Sequence, residues 1–302
     1  MMGSPPIIRG FSLREELLLS CTIISLFVAV VFPFLYASSV LAVDIKDQTY
    51  ITWSQDHVKM LDAEKAIQIT LDSESGSGFA SNQKFLHGSI SMEIKLMAGD
   101  SAGTVTAYYL SSGINDEFDF EFLGNISGEP YLLQTNVYSN GTSGREHRVS
   151  LWFDPAADYH TYSFLWNKYH SVFFVDSTPI RTFANCQALG VPYTSRPMRL
   201  YAAIWNGETW ATRGGRDKID WNHAPFVASF RNFTSDACIW QDQDSDCSAS
   251  TSNAWWEQEA YQALSSDQAS KFNMVQNIYT VYDYCKDFKR YPTLPAECNY
   301  QV

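Results

Sequence analysis

Six consecutive residues, Glu117-Phe118-Asp119-Phe120-Glu121-Phe122, alternate strictly between acid and phenylalanine. Side chains on a β-strand point to opposite faces in turn, so this period admits a strand and no other regular element. Such a strand has one apolar face, made by Phe118, Phe120 and Phe122. Its other face carries three carboxylates in a row. Placing three like charges side by side is unfavourable, and a sheet gains nothing in stability from it. A solvated edge strand would mix in lysine rather than crowd aromatics around the acids. An array that drives carboxyl pKa values apart and keeps one acid protonated near neutrality has a chemical use.

Retaining glycoside hydrolysis or transfer is the chemistry that suits it. One carboxylate acts as nucleophile and a second as proton donor, their carboxyl groups about 5–5.5 Å apart. The backbones of Glu117 and Glu121 lie about 13 Å apart along a strand. On the concave side of a bent sheet two long Glu side chains can lean together, with Asp119 between them. No HExxH, GxSxG, phosphate loop or Cys/His metal pattern occurs, so no metal or cofactor is expected.

The segment Asp116-Glu117-Phe118-Asp119-Phe120-Glu121-Phe122-Leu123-Gly124-Asn125 resembles the active-site strand of the plant xyloglucan endotransglucosylase/hydrolases, in glycoside hydrolase family 16. The likeness continues upstream in Ser101-Ala102-Gly103-Thr104-Val105-Thr106-Ala107. Downstream it takes in Trp210-Ala211-Thr212-Arg213-Gly214-Gly215 and the tail from Tyr284-Cys285 to Cys298. It implies Glu117 as nucleophile, Glu121 as acid/base and Asp119 as helper. It also implies a cleft lined by Tyr109, Gln134, Asn136, Arg148, Trp205, Trp210, Gly215 and Arg290, with Arg148 and Arg290 on the acceptor side. The substrate would be xyloglucan, as both donor and acceptor. The implied fold is all-β: a curved antiparallel jelly-roll sandwich, concanavalin-like, with a C-terminal extension. Transfer is expected over hydrolysis, because the segment Trp210 to Phe226 lacks the loop insertion of the family's dedicated hydrolases. Xyloglucan-specific endohydrolysis, mixed-linkage glucan activity and non-catalytic glucan binding are the alternatives. Two departures stand out. Asn115 occupies a position where the family has His, and the loop Ser111-Ser112-Gly113-Ile114 is about two residues short. Phe118 also replaces a more usual Ile, which implies only a packing adjustment.

The residues themselves agree with a β fold. Ile67, Ile69 and Leu71 alternate with Gln68 and Thr70, and Ile90, Met92, Ile94 and Leu96 with Ser91, Glu93 and Lys95. Ser171–Phe174 and Ile180–Phe183 flank Asp176-Ser177-Thr178-Pro179, a hairpin signal. Many short strands with regular turns argue a sandwich. One segment differs: Ala269, Phe272, Val275, Ile278 and Tyr282 recur every three or four residues, predicting an amphipathic helix from Ser266 to Cys285 capped by Ser265 or Ser266. Trp205 and Trp210 flank a turn, Asn206-Gly207-Glu208-Thr209. Gln134 and Asn136, two apart, share a strand face.

At the N-terminus, Arg9 and Arg14 precede an uncharged apolar stretch from Leu17 to Ala42 that ends in small residues. It reads as a secretory signal cleaved near Ala42, or else as an uncleaved membrane anchor. Residues 1–42 are thus the leader, 43–235 the jelly-roll domain and 236–302 the extension, packed on the same domain. The location expected is secreted, in the cell wall or apoplast. Two Arg and two Glu cancel within the leader, so the net charge of −12 belongs to the rest. That charge disfavours nucleic acid and anionic lipid but does not repel a neutral polysaccharide. A monomer is expected.

In an oxidising compartment the four cysteines beyond 236 read as two disulfides, for which three pairings exist. The family resemblance selects Cys238–Cys247 and Cys285–Cys298, and leaves Cys186 as a buried thiol. Asp242-Gln243-Asp244-Ser245-Asp246 reads as a solvated acidic loop rather than a calcium site. Asn125, Asn140 and Asn232 begin Asn-x-Ser/Thr sequons, the first just past the acidic strand.

Overall fold

In the computed structural model, residues 44–61, 63, 65–241, 247 and 254–300 are described. The leader and the Asp242–Asp246 loop lie outside the described residues. Fourteen strands form in chain order: β1 (Thr49–Trp53), β2 (Val58–Leu61), β3 (Ala66–Leu71), β4 (Ser77–Lys95), β5 (Thr104–Ser111), β6 (Glu117–Leu123), β7 (Leu132–Tyr138), β8 (His147–Ser150), β9 (His160–Trp166), β10 (His170–Val175), β11 (Thr178–Ala184), β12 (Met198–Asn206), β13 (Phe226–Trp240) and β14 (Thr280–Asp283). The helices are a single turn, α1 (Ile45–Gln48), and α2 (Ser266–Ile278). None among the described residues is long and apolar enough to cross a membrane.

Every pairing is antiparallel, and the sheet is continuous in the order β11-β10-β9-β4-β12-β5-β6-β7-β8-β14, with β1, β2, β3 and β13 branching from it. The long β4 makes two layers out of this one ribbon. Its first half pairs with β1 and β12, and its second half with β9 and β13. The change of direction falls at His87 and Gly88, whose φ angles are 64° and 124°. A side chain at Gly88 would meet Ala237 Cα at 2.3 Å, so only glycine allows this crossing.

Strand β6 packs its phenylalanines between the layers. Phe118, Phe120 and Phe122 are fully buried. Phe120 lies 4.9 Å from Phe164 on β9 and 5.3 Å from Phe173 on β10, centroid to centroid, and Phe122 lies 4.8 Å from Tyr162. Each such burial contributes roughly 1.5–3 kcal/mol, so the apolar face fixes which way the acids must point. The Asp176-Ser177 turn between β10 and β11 has positive φ at both residues, as a tight hairpin of this hand requires.

Helix α2 carries a full capping box, Ser265 and Gln268 bonding each other's backbone, and it buries Phe272 and Val275. It is shorter than the apolar periodicity predicts. After Ile278 the β-branched and aromatic run Thr280-Val281-Tyr282 takes up a strand, β14, against the free edge of β8. The extension is further tied down by the ion pair Arg145–Glu297 at 2.6 Å and by the contact of the His147 ring with Asp283 at 3.1 Å, all four groups buried. Burial lowers the pKa of His147 to about 4, so that contact is made by a neutral ring near neutrality. Disulfides join Cys238 to Cys247 and Cys285 to Cys298, and Cys186 is a free buried thiol. Strand β13 runs unbroken across positions 235 and 236.

Candidate active site

The acids occupy an interior strand, hydrogen-bonded on both sides, and the register decides their neighbours. Glu117 stands between Ser111 on β5 and Tyr138 on β7. Asp119 stands between Tyr109 and Asn136, and Glu121 between Ala107 and Gln134. Because opposite residues share a face, these form three parallel rows across the sheet. The Glu121 row is the longest. It continues from Ala107 through Ala203 on β12 and Gly78 on β4 to Trp53 on β1, and from Gln134 through Arg148 on β8 to Tyr282 on β14. Small side chains in this row open a trough. A cavity of 390 Å³ lies over it, lined by the three acids, Ala107, Ala203, Trp53, Tyr109, Tyr138 and Trp205.

The charges in the trough are set apart from one another. Burial, above all, holds Asp119 protonated well beyond the usual carboxylate range; the charges of Glu117 and Glu121 and a hydrogen bond to Glu117 act in the same direction. Arg181, buried behind the strand, opposes this. Glu121 is also raised, chiefly by burial and then by the charges of Glu117 and Glu146. Two groups restrain it: Gln134 Nε2 donates to its carboxylate at 2.6 Å, and Arg148 lies nearby. Gln134 is itself oriented by Arg148, whose Nε donates to the amide oxygen at 2.8 Å. Arg148 in turn sits 5.4 Å from the centre of the Tyr282 ring. A weakly acidic group held by a directed donor, with a second Glu on the same strand face, is the arrangement a proton donor needs.

The residues expected at the cleft are not all brought together. Tyr109 and Trp205 line the cavity, and Tyr109 stacks on Tyr201 with centroids 5.2 Å apart. Trp210 stands beside it, packed with Trp205 on a small apolar patch of Val105, Leu123 and Ala211. Asn136 is buried in the Asp119 row, and its amide oxygen accepts from the backbone N–H groups of Val137 and Arg145. That leaves its NH2 group for a ligand. Arg290 lies further out, paired with Glu146 at 2.6 Å and bonded to the Tyr282 hydroxyl. Gly215 does not line the cavity. It has φ 82°, and a side chain there would meet the Thr209 carbonyl at 2.2 Å. Its place in the fold is to let the loop close behind Trp210.

Asp116 is spatially separate from the other acids. It is buried and accepts from the backbone N–H groups of Asn140, Ser195 and Arg196, and it pairs with the Arg196 guanidinium at 3.4 Å. It is a staple for the loop entering β6. Asn115, its amide turned to satisfy both neighbours, donates to Ile114 O and accepts from Arg196. With Ser111, Gly113, Ile114 and Tyr138 it lines a 190 Å³ recess beside Glu117. Of the sequon residues, Asn140 and Asn232 are exposed and Asn125 is half-buried, its Nδ2 donating to Pro130 O. No cluster of three metal-ligating side chains occurs among the described residues.

Trp53, Tyr138 and Tyr201 were not singled out in the sequence. Tyr138 carried a signal, since it follows Gln134 and Asn136 at the same two-residue spacing. Tyr201 shares that spacing with Ala203 and Trp205. Trp53 had none, because only the pairing of β1 with β4 brings it to the trough.

Residues 45–223 match the family described as glycosyl hydrolases family 16, and residues 250–298 match the xyloglucan endo-transglycosylase C-terminus. Among curated proteins, the chain is 48% identical over 267 residues to a probable xyloglucan endotransglucosylase/hydrolase protein 10 of Arabidopsis thaliana, covering 87% of this chain and 89% of that one. It is 49% identical over 250 residues to xyloglucan endotransglucosylase protein 34 of Populus tremula x Populus tremuloides, covering 82% and 85%. Among solved structures, one described as a native glycosidic hydrolase aligns with a TM-score of 0.51 at 21% identity, over 64% of this chain and 90% of that one. The Crh5 transglycosylase in complex with NAG aligns with a TM-score of 0.51 at 25% identity, over 61% and 78%.

Proposed function

Because the chain belongs to glycoside hydrolase family 16, in its xyloglucan endotransglucosylase/hydrolase group, we propose that it cuts the β-1,4-glucan backbone of xyloglucan and passes the donor fragment to another xyloglucan chain. The observation that carries this is the array on β6: Glu117, an Asp119 that burial keeps protonated and that bonds to it, and a raised Glu121 held by Gln134.

The reaction proceeds in two steps. A carboxylate oxygen of Glu117 attacks the anomeric carbon while Glu121 gives its proton to the glycosidic oxygen. The C–O bond breaks, the leaving chain departs with a new hydroxyl, and a glycosyl ester on Glu117 remains. Glu121, now a carboxylate, then takes the proton from an incoming hydroxyl whose oxygen displaces Glu117. Asp119 keeps its proton throughout and donates to Glu117, which steadies the charge on the departing carboxylate. Whether water or a sugar hydroxyl arrives is decided on the β7–β8–β14 side, where Gln134, Arg148, Tyr282 and Arg290 supply donors and a ring for an acceptor chain. The donor chain then lies over β5, β12 and β1. The apolar leader fits delivery to the cell wall space.

The test combines xyloglucan with a labelled xyloglucan oligosaccharide. Label should enter long chains, and Glu117→Gln should stop this while the chain still binds. Reducing ends released at one rate with and without acceptor would reject transfer, and undiminished turnover by Glu117→Gln would reject the nucleophile.

A further inference from the structure

The trough ends at β1, and that end carries structure which the two chemical steps do not use. Tyr50 and Trp53 are 43% and 41% exposed, although both belong to a strand of the sheet. Two large aromatic side chains left half in water on one short strand ask for a ligand. The pairing of β1 with β4 is irregular between Ile51 and Trp53, and this sets Trp53 opposite Gly78. A side chain at Gly78 would meet the Trp53 ring at 2.4 Å and the Ala202 carbonyl at 2.7 Å. The indole therefore rests on bare backbone, at the end of the row that starts from Glu121, and it lines the same cavity as the acids.

The turn behind Trp53 is bound to its neighbour by several independent ties. Ser54 has φ 50° and ψ 63°, and its hydroxyl bonds that of Ser75 at 2.7 Å. Ser77 Oγ donates to His57 O at 3.1 Å. The His57 ring stands between two carboxylates, Asp56 at 3.3 Å on its own turn and Asp72 at 3.0 Å on the turn after β3. Asp72 is itself fixed by the N–H groups of Glu74 and Ser75. Strand β4 presents the Ser77 hydroxyl to this turn. The His57 side chain is 11% exposed, so a proton on it faces the two carboxylates more than it faces water.

We infer that Trp53 is a binding platform for the donor chain, and that His57 is the residue that positions it, gripping Asp72 more firmly when protonated. The inference rests on the glucan chemistry proposed above. Asp72, first, and then Asp56 raise the pKa of His57 against the opposing effect of burial. The grip is complete at mildly acidic pH and is lost as pH rises through that raised value.

The experiment measures donor KM, acceptor KM and kcat for the full chain at about pH 5.5 and about pH 8, either side of an ordinary imidazole pKa. Trp53→Ala should raise donor KM at least about tenfold, about 1.4 kcal/mol, at both pH values. The loss should fall in donor KM more than in kcat, with acceptor KM unmoved. Trp53→Phe, which keeps a ring, should lie between. Wild-type donor KM should rise from the lower to the higher pH, and His57→Gln should abolish that rise. Thermal unfolding of each variant separates lost binding from lost fold. An unchanged donor KM in Trp53→Ala, or acceptor KM rising in step with it, overturns the platform. A His57→Gln variant that keeps the wild-type pH response overturns the positioning role. Binding of cello-oligosaccharides in a Glu117→Gln background, with and without Trp53→Ala, reads the platform without turnover. Failure of the xyloglucan reading would therefore show separately, as wild-type protein inactive on xyloglucan whose cello-oligosaccharide binding still depends on Trp53.

Discussion

Glu297→Ala isolates what holds the C-terminal extension under the cleft. Arg145 Nε donates to Glu297 Oε1 at 2.6 Å, and the two side chains are 5% and 7% exposed. Removing one partner of a buried pair costs about 3–5 kcal/mol, because the other charge is stranded. Here the guanidinium keeps one firm bond from Nη1 to Thr142 O at 2.8 Å and a longer one to Val137 O at 3.4 Å, so the loss should fall at the low end, about 3 kcal/mol. For a domain of this size that is a fall in melting temperature of about 6–12 °C. Arg145→Met/Glu297→Leu removes both charges together and should restore most of the stability, ending within about 1 kcal/mol of wild type. Equilibrium urea unfolding with the disulfides intact measures both variants. The site should feel the change on one side only, since the Arg145 backbone N–H bonds Asn136 Oδ1 while β6 keeps its own ladder. Acceptor KM should therefore rise more than kcat falls. Equal destabilisation by the single and the double variant would refute the argument, as would a single-variant loss below about 1 kcal/mol.

Three further outcomes follow from the same geometry. Gln134→Leu removes the donor that restrains the raised pKa of Glu121, so the proton is held to higher pH and the alkaline limb of kcat/KM should move upward; a limb moving to lower pH contradicts the assignment of Glu121 as acid. Gly78→Val puts a side chain where the Trp53 ring lies and against the Ala202 backbone carbonyl, so both the Tm and donor affinity should fall; a folded fraction that binds donor as tightly as wild type would contradict this. Burial depresses the pKa of His87 from 6.5 to about 4, so below pH 6.5 the unfolded chain takes up a proton that the folded one refuses. Its share of the loss of stability as pH falls through that window is at most about 3 kcal/mol, and His87→Phe should remove that share in pH-dependent unfolding while leaving the part carried by His147, which burial also lowers to about 4.

Local periodicity made the strands and the two faces of β6 readable. Phe118 and Phe120 had to go inside, and the acids had to go out. Spacing by two was equally informative for Gln134 and Asn136. Pairing between distant strands was not readable, because register is set by tertiary packing and turn geometry rather than by either strand alone. Trp53 and Gly78 are 25 positions apart and meet only through the β1–β4 ladder. The end of α2 escaped for a related reason. Ile278 and Tyr282 continue a helical period, yet Ile278 is 67% exposed and Tyr282 belongs to a strand, since the open edge of β8 offered a partner the sequence does not display. Gly215 shows the converse. The family resemblance implied it in the cleft, and its backbone angle with the nearby Thr209 carbonyl, neither of them visible in the local sequence, gives it a part in closing the loop.

Strand β6 sits near the middle of the ribbon, while Trp53 and Tyr282 ride on short strands at its margins. Thermal fraying begins at margins, where ladders are open on one side, and reaches the middle last. Grip on the polymer can therefore loosen and re-form many times while the acids of β6 stay in step. A catalyst built this way can let a long chain slide or exchange without ever dismantling the place where its bond is cut.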